Sequence, residues 1–327
     1  MNAVPQRRAV LAAAALLPAL PRLAAAQPAA APAAPAARQA PGFFRSKLGG
    51  ATLLQVNDGF GRRPDPARGF IGNAEPAAVE AALRDAFLPT EFLEISYTVP
   101  MLERADGIVA FDAGTGGQLG PTTGGLAANL RAAGRDPGDV RQIVFTHFHG
   151  DHVTGLTTAE NARAFPNAEL IVPQPEWDYW LDEATASRAP EAQRAAFANV
   201  RRRFGAYEGR VRRFRPGEEV LPGVLSVETH GHTPGHTSFI VTEGDARVLI
   251  FGDVTNRPEL FVRNPGWHAV FDMDAQRAEA TRRRVLDMAA TERLRIAAYH
   301  WPFPGLGYVA KDGNGYRWAP QSWSAAV

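Results

Sequence analysis

One six-residue run constrains this chain more than any other feature, because it holds three of the eight histidines: His147-Phe148-His149-Gly150-Asp151-His152. A short β-rich segment, 142–146, leads directly into the run. His147 and His149 are two residues apart, so in extended backbone their side chains leave on the same face and can hold one ion. The glycine after them lets the chain turn, which directs Asp151 and His152 toward a second ion. The run therefore predicts metal binding rather than a histidine-rich surface loop.

The chain contains no cysteine. This excludes disulfides, thiolate nucleophiles and zinc sites built on cysteine. Imidazole and carboxylate groups must then hold any metal. Such ligands suit zinc first, and manganese, cobalt or iron are also compatible.

Residues 1–26 read as an export signal. Arg7 and Arg8 precede the apolar segment 9–20, no acidic residue is present, and the segment ends in three alanines. Such a charged start, short apolar middle and small-residue end is typical of a cleaved signal. The paired arginines favour the twin-arginine type, although an ordinary signal peptide or an uncut anchor is also compatible. The mature protein is therefore predicted to be periplasmic or secreted.

Alanine and proline dominate residues 27–41, which predicts a disordered linker before a catalytic domain at 42–327. The whole chain has 35 basic and 34 acidic residues. Without Arg7, Arg8 and Arg22 the basic count falls by three, and the net charge of the mature chain becomes −2. This balance argues against a nucleic-acid partner. No stable membrane span is expected in the mature chain.

The rest of the chain alternates predicted strands with helices. Strands are expected at 92–103 and 107–111, and again between 225 and 251, while 274–290 has helical spacing. The candidate metal ligands fall at strand ends. Two groups of strands flanked by helices predict an α+β fold with stacked sheets and helices outside.

Four separate segments together resemble the metallo-β-lactamase superfamily. They are the 147–152 run, the segment Gly231-His232-Thr233-Pro234-Gly235-His236, then Phe251-Gly252-Asp253, and finally Tyr299-His300. Within that superfamily the chain is most similar to the methyl parathion hydrolase branch. That similarity extends to Leu119-Gly120-Pro121-Thr122, to 164–168 and to the tail from 303 to 317. The resemblance implies a four-layer αββα sandwich.

The resemblance also implies two ligand sets for two divalent ions. The first metal would be held by His147, His149 and His232. The second would be held by Asp151, His152 and His300. Asp253 would bridge the two ions, and His236 would orient a ligand without binding metal itself.

A hydroxide shared by the two ions would be the nucleophile, with Asp151 orienting it and Asp253 supporting both ions. The implied reaction is hydrolysis of a neutral ester-like small molecule: an organophosphate triester, a lactone or an aryl ester. The lactonases of this superfamily often carry a tyrosine shortly after the bridging aspartate, whereas this chain has Asp253-Val254-Thr255-Asn256. A β-lactamase and a non-catalytic metal-binding protein are the alternatives.

The substrate pocket is expected to be apolar. By similarity to the branch, Leu119, Trp180 and Phe197 are its predicted wall, with burial in the core as the alternative for each. Aromatic residues at 301–303 and 318–323 are compatible with a homodimer interface.

Overall fold

A computed structural model describes Met1 and residues 39–325, and this part of the chain contains two seven-stranded sheets. In spatial order the first sheet contains β1 (Phe43–Leu48), β2 (Ala51–Pro64), β3 (Phe92–Arg104), β4 (Gly107–Phe111), β5 (Val140–Val144), β6 (Glu169–Pro173) and β7 (Val211–Phe214). The second contains β14 (Gly315–Pro320), β13 (Leu306–Asp312), β12 (Arg295–Ala298), β11 (Ala246–Gly252), β10 (Thr237–Glu243), β9 (Val224–Glu228) and β8 (Glu219–Leu221).

Helices accompany both sheets. They are α1 (Pro76–Asp85), α2 (Leu126–Ala132), α3 (Gly150–Val153), α4 (Gln174–Trp180), α5 (Glu183–Arg188), α6 (Glu191–Gly205), α7 (Pro258–Phe261) and α8 (Ala275–Thr291). No helix in the described part of the chain has the length and apolar character needed to cross a membrane.

Strand alternation explains how the layers stack. Side chains two apart on a strand share a face, so neighbouring apolar residues enter different cores. Leu53 packs between the two sheets, whereas Leu54 packs against the helices outside the first sheet. In the second sheet, Ile250 faces the space between the sheets and Leu249 faces α8. Three stacked cores separate four layers, so the predicted αββα sandwich is confirmed.

Two parallel strand pairs position the candidate ligands. β4 and β5 run parallel in the first sheet, and β11 and β12 run parallel in the second. Carboxyl ends of parallel strands meet at one edge of a sheet. The run 147–152 therefore follows β5 beside the end of β4, while Asp253 and His300 follow β11 and β12.

The predicted export signal at 1–26 and linker at 27–41 lie outside the described residues, except for Met1 and residues 39–41. Both remain predictions, as does the periplasmic or secreted location that follows from them.

Candidate metal centre

The run 147–152 adopts the turn that its sequence predicts. His149 keeps extended backbone immediately before α3, with φ −62° and ψ 155°. Gly150 then begins the short helix α3, which also contains Asp151 and His152. Two neighbouring parts of the run therefore present ligands in different directions.

The structure brings all seven predicted ligands together in three overlapping groups, each with its ligand atoms within 4.8 Å of one another. The groups are His147, His149 and His232; Asp151, His152 and His300; and His147, His152 and Asp253. The first two are the two ligand sets that the resemblance implies. The third joins them through Asp253.

Asp253 contacts both ligand sets through its two carboxylate oxygens. Its Oδ2 lies 3.3 Å from His232 Nε2 and 3.0 Å from His300 Nε2. Its Oδ1 lies 3.3 Å from His152 Nε2. A single carboxylate that reaches both sets has the geometry of a ligand shared between two cations.

Three buried polar atoms at this point have no hydrogen-bond partner among the described residues: His147 Nε2, His152 Nε2 and Asp253 Oδ1. Leaving a buried polar group unpaired costs about 1–3 kcal/mol, so such atoms are rare without a function. The three residues form one of the groups whose ligand atoms lie within 4.8 Å of one another, and nitrogen and oxygen ligands suit zinc-like divalent ions. The residues present therefore fit a metal centre.

Carboxylates outside the ligand groups orient the histidines. Asp112 accepts hydrogen bonds from the backbone and side chain of Thr146, and it lies 2.8 Å from His152 Nδ1. Asp272 Oδ1 lies 2.9 Å from His232 Nδ1, while Arg282 donates to its other oxygen. Such partners fix the ring orientation and raise the basicity of a ligating imidazole.

Asp112 and Asp272 were not among the residues predicted from the sequence. Asp112 follows the apolar strand β4, which is the same signal that pointed to Asp253 after β11. That signal could have found Asp112. Asp272 lies in the loop between α7 and α8, and no local pattern distinguishes it.

His236 belongs to none of the three ligand groups. Its Nε2 accepts a hydrogen bond of 2.9 Å from the backbone N–H of Asp253, so its Nδ1–H donates to Thr229 Oγ1. Gly252, at φ +57°, packs against this ring, and a Cβ there would lie 2.6 Å from His236 Nε2. His236 thus holds the backbone that presents Asp253.

Glu176 connects the two loops that carry the first ligand set. Its Oε1 accepts from the backbone N–H of Phe148, at 3.0 Å, and from Trp180 Nε1, at 2.7 Å. Its Oε2 accepts from Thr233 Oγ1, at 2.9 Å, and from the backbone N–H of Gly235, at 2.8 Å. Burial raises the pKa of Glu176, while these four donors favour its charged form. No sequence pattern distinguished this residue.

A cavity of about 390 Å³ opens onto the centre. Asp151, Asp253 and three of the histidines form its floor. The cavity-forming side chains outside the ligand groups include Ile95, Tyr97, Phe271, Asn256 and Arg63.

None of the three residues predicted to form the substrate pocket is among those that line this cavity, and two of them occupy the core positions given as the alternative. Trp180 and Phe197 are 4% and 1% exposed and pack against each other with ring centroids 4.8 Å apart. The indole N–H of Trp180 is bound to Glu176, which holds the ring in the core behind His149. Leu119 is 48% exposed and lies on the surface beside Gly150.

Three histidines of the centre carry raised pKa values, namely His152, His232 and His300. Burial lowers the pKa of His232, but its hydrogen bonds to Asp253 and Asp272 outweigh burial and raise it to about 9. Burial also opposes the charge on His300, yet Asp253 and Asp151 raise its pKa to about 10. In the metal-free protein the His232 and His300 imidazoles are therefore protonated at pH 7.

We expect metal binding at pH 7 to release protons, because a ligating imidazole nitrogen must first lose its proton. Since the raised pKa values lie above pH 7, metal affinity should rise as the pH increases toward 9. Isothermal titration calorimetry in buffers of different ionisation enthalpy measures the release directly. A binding enthalpy that is independent of the buffer would contradict this expectation.

Comparisons with known proteins agree with this architecture. The family model described as "Metallo-beta-lactamase superfamily" matches residues 101–300. The chain is 31% identical over 114 residues to the uncharacterized protein YobT of Bacillus subtilis (strain 168), which covers 35% of this chain and 46% of YobT. It is 32% identical over 133 residues to the N-acyl homoserine lactonase AiiA of Bacillus thuringiensis subsp. kurstaki, which covers 40% of this chain and 45% of that protein. The chain thus spans less than half the length of these curated relatives.

Two solved structures share the fold over nearly their whole length. The dizinc quorum-quenching lactonase AidC, solved with a product, superposes with a TM-score of 0.81 at 23% identity, covering 86% of this chain and 98% of AidC. The hydrolase AbOPH "in beta lactamase superfamily" gives a TM-score of 0.83 at 25% identity, covering 88% of this chain and all of AbOPH.

Proposed function

The chain belongs to the metallo-β-lactamase superfamily, and from this premise we propose that it is a dinuclear metal-dependent hydrolase of ester-like small molecules. The observation that carries the proposal is the position of Asp253, whose two oxygens contact histidines of both ligand sets. A protein that held one ion would not need a carboxylate shared in this way.

When bound, two divalent ions would supply a water of lowered pKa and polarise the oxygen of the scissile carbonyl or phosphoryl group. The chain's own residues hold the reacting groups. Asp151 lines the cavity, and although burial raises its pKa, His152 and His300 keep it below the usual value. It therefore stays ionised at neutral pH and can accept a hydrogen bond from the attacking water.

The apolar side chains of the cavity wall favour a substrate whose scissile group is uncharged. Ile95, Tyr97 and Phe271 line the space beside the ligands and exclude water from one side of a bound ester. An aryl ester, a lactone and an organophosphate triester all present such a group. We place the chain near the methyl parathion hydrolase branch because of the segments at 119–122 and 164–168, and a phosphotriester belongs to that proposal.

The test is a hydrolysis panel on protein loaded with zinc, manganese, cobalt or iron in turn. We expect turnover of at least one of p-nitrophenyl esters, lactones and methyl parathion, with loss on chelation and recovery when metal is returned. Elemental analysis of the same samples should give two ions per chain.

Two outcomes would replace this function. Nitrocefin turnover at a rate similar to the best ester would favour a β-lactamase. Metal-loaded protein that is inert across the whole panel would favour a metal-binding protein of the same fold. The relative AiiA, at 32% identity, is an N-acyl homoserine lactonase, so lactones are the first substrates to test.

A further inference from the structure

Two arginines line the cavity, Arg62 and Arg63, and neither belongs to a ligand group. Arg63 lies near the end of β2, and the period of two in a strand puts its side chain on the same face as Gly61. Gly61 pairs with Ile95 of β3, and Ile95 shares its face with Tyr97. All four residues line the cavity above the ligands.

Arg62, the neighbour of Arg63 on the same strand, has a charge that is neutralised by an ion pair. Arg62 also borders the cavity, but its guanidinium pairs with Glu94 at 2.6 Å and lies over the ring of Phe92 at 4.2 Å. More than half of the Arg62 side chain is exposed to solvent. Its charge is therefore compensated and screened.

Arg63 has no such compensation. Its guanidinium lies over Phe271, 5.2 Å from the ring centroid, and 6.0 Å from the ring centroid of Phe70. One of its N–H groups donates to the backbone carbonyl of Gly69. Within residues 39–325, no Asp or Glu lies within salt-bridge distance of it. The aromatic contacts and the carbonyl hold the side chain in place and leave donors on the guanidinium free for a ligand.

Among the described residues that line the cavity, no carboxylate is available to neutralise the Arg63 guanidinium. The two carboxylates that line the cavity, Asp151 and Asp253, both belong to the ligand groups. The rest of the wall includes the apolar side chains of Ile95, Tyr97 and Phe271, together with Asn256 and the paired Arg62. A half-buried guanidinium among apolar groups binds a carboxylate more strongly than it would in water, and its planar fork matches both oxygens.

We propose that Arg63 is an anion subsite that selects esters bearing a carboxylate at the end distant from the scissile bond. This inference rests on the proposed hydrolase function and specifies its substrate class: the reacting ester is uncharged, and the substrate as a whole is a monoanion. Arg63 acts as a specificity-determining residue, because it contacts the substrate arm rather than the reacting atoms.

Matched substrates test the subsite. The anionic series is the mono-p-nitrophenyl esters of succinate, glutarate and adipate, which varies the reach of the carboxylate. The neutral reference is p-nitrophenyl hexanoate. With metal-loaded wild-type protein, we expect at least one anionic ester to exceed the reference in kcat/KM.

In Arg63→Gln, the ratio of kcat/KM for the best anionic ester to that for the hexanoate should fall at least tenfold. The loss should appear in KM rather than kcat, because the contact is the same in the ground and transition states. Arg63→Lys should recover part of the ratio. Arg68→Gln is the matched control, because Arg68 is exposed, pairs with Asp65 at 3.3 Å and lies outside the cavity.

An unchanged ratio in Arg63→Gln, or a loss confined to kcat, would overturn the subsite while leaving the hydrolase intact. If metal-loaded wild-type protein hydrolyses none of these four esters and no lactone or methyl parathion either, the proposed function fails instead. The subsite is then judged by binding: calorimetry should show glutarate binding to the wild type and at least tenfold weaker binding to Arg63→Gln. Equal binding to both proteins would overturn it.

Discussion

Asp253→Ala is expected to lower kcat/KM by about 10³-fold or more, which corresponds to about 4 kcal/mol of transition-state stabilisation. The side chain contacts His152, His232 and His300, so its removal takes a shared partner from both ligand sets at once. Two cations held without a bridging anion also repel each other more strongly. Steady-state kinetics on protein with its metal content measured would give the value.

A turn carboxylate provides the control for this variant. Asp245 is exposed in the turn between β10 and β11, so Asp245→Ala removes the same charge without touching the centre. It should retain wild-type kinetics and metal content. Full activity in Asp253→Ala would contradict the two-metal hydrolase.

Glu176→Gln should weaken the first metal set selectively. All four partners of Glu176 are donors, so the site requires a carboxylate with two acceptor oxygens. Glutamine offers one acceptor and turns an NH₂ group toward two of those donors. The cost should be about 2–4 kcal/mol of folding stability. The loops that carry His147, His149 and His232 should also lose their relative position.

Metal content and thermal unfolding together check this expectation. Zinc should fall from two ions per chain toward one, and the remaining ion should resist chelation, since Asp151, His152 and His300 do not contact Glu176. Glu183→Gln is the control, because Glu183 is exposed at the start of α5. An equal loss of affinity for both ions would show that Glu176 supports the whole fold rather than one ligand set.

The candidate metal centre was predictable because its sequence signals are local. The directions of the His147, His149, Asp151 and His152 side chains depend on one strand end and one turn. Both features can be predicted from consecutive residues. The more distant His232, Asp253 and His300 show the same sequence signal, because each lies in a loop at or near the end of a predicted strand. The resemblance joined these segments into two ligand sets, and the structure brings the same seven residues together.

The walls of the cavity beside the candidate metal centre could not be predicted, because they come from distant parts of the chain. Trp180 and Phe197 were placed in the pocket by similarity, yet the hydrogen bond from Trp180 to Glu176 holds that ring in the core. Arg63, Ile95 and Phe271 line the cavity instead. They lie on two strands and a loop, and no spacing within any one of these segments shows that they meet.

The sequence by itself determined which ligands are available, because in a chain without cysteine the histidine and carboxylate groups at strand ends are the donors that suit divalent ions. The tertiary structure decided which groups orient those ligands and which groups face a substrate. Asp112, Asp272 and Glu176 acquire their roles from the histidine or backbone donor opposite each of them. These pairings depend on how the two sheets pack. The packing brings together residues that are far apart in the sequence, and local sequence patterns do not predict such contacts.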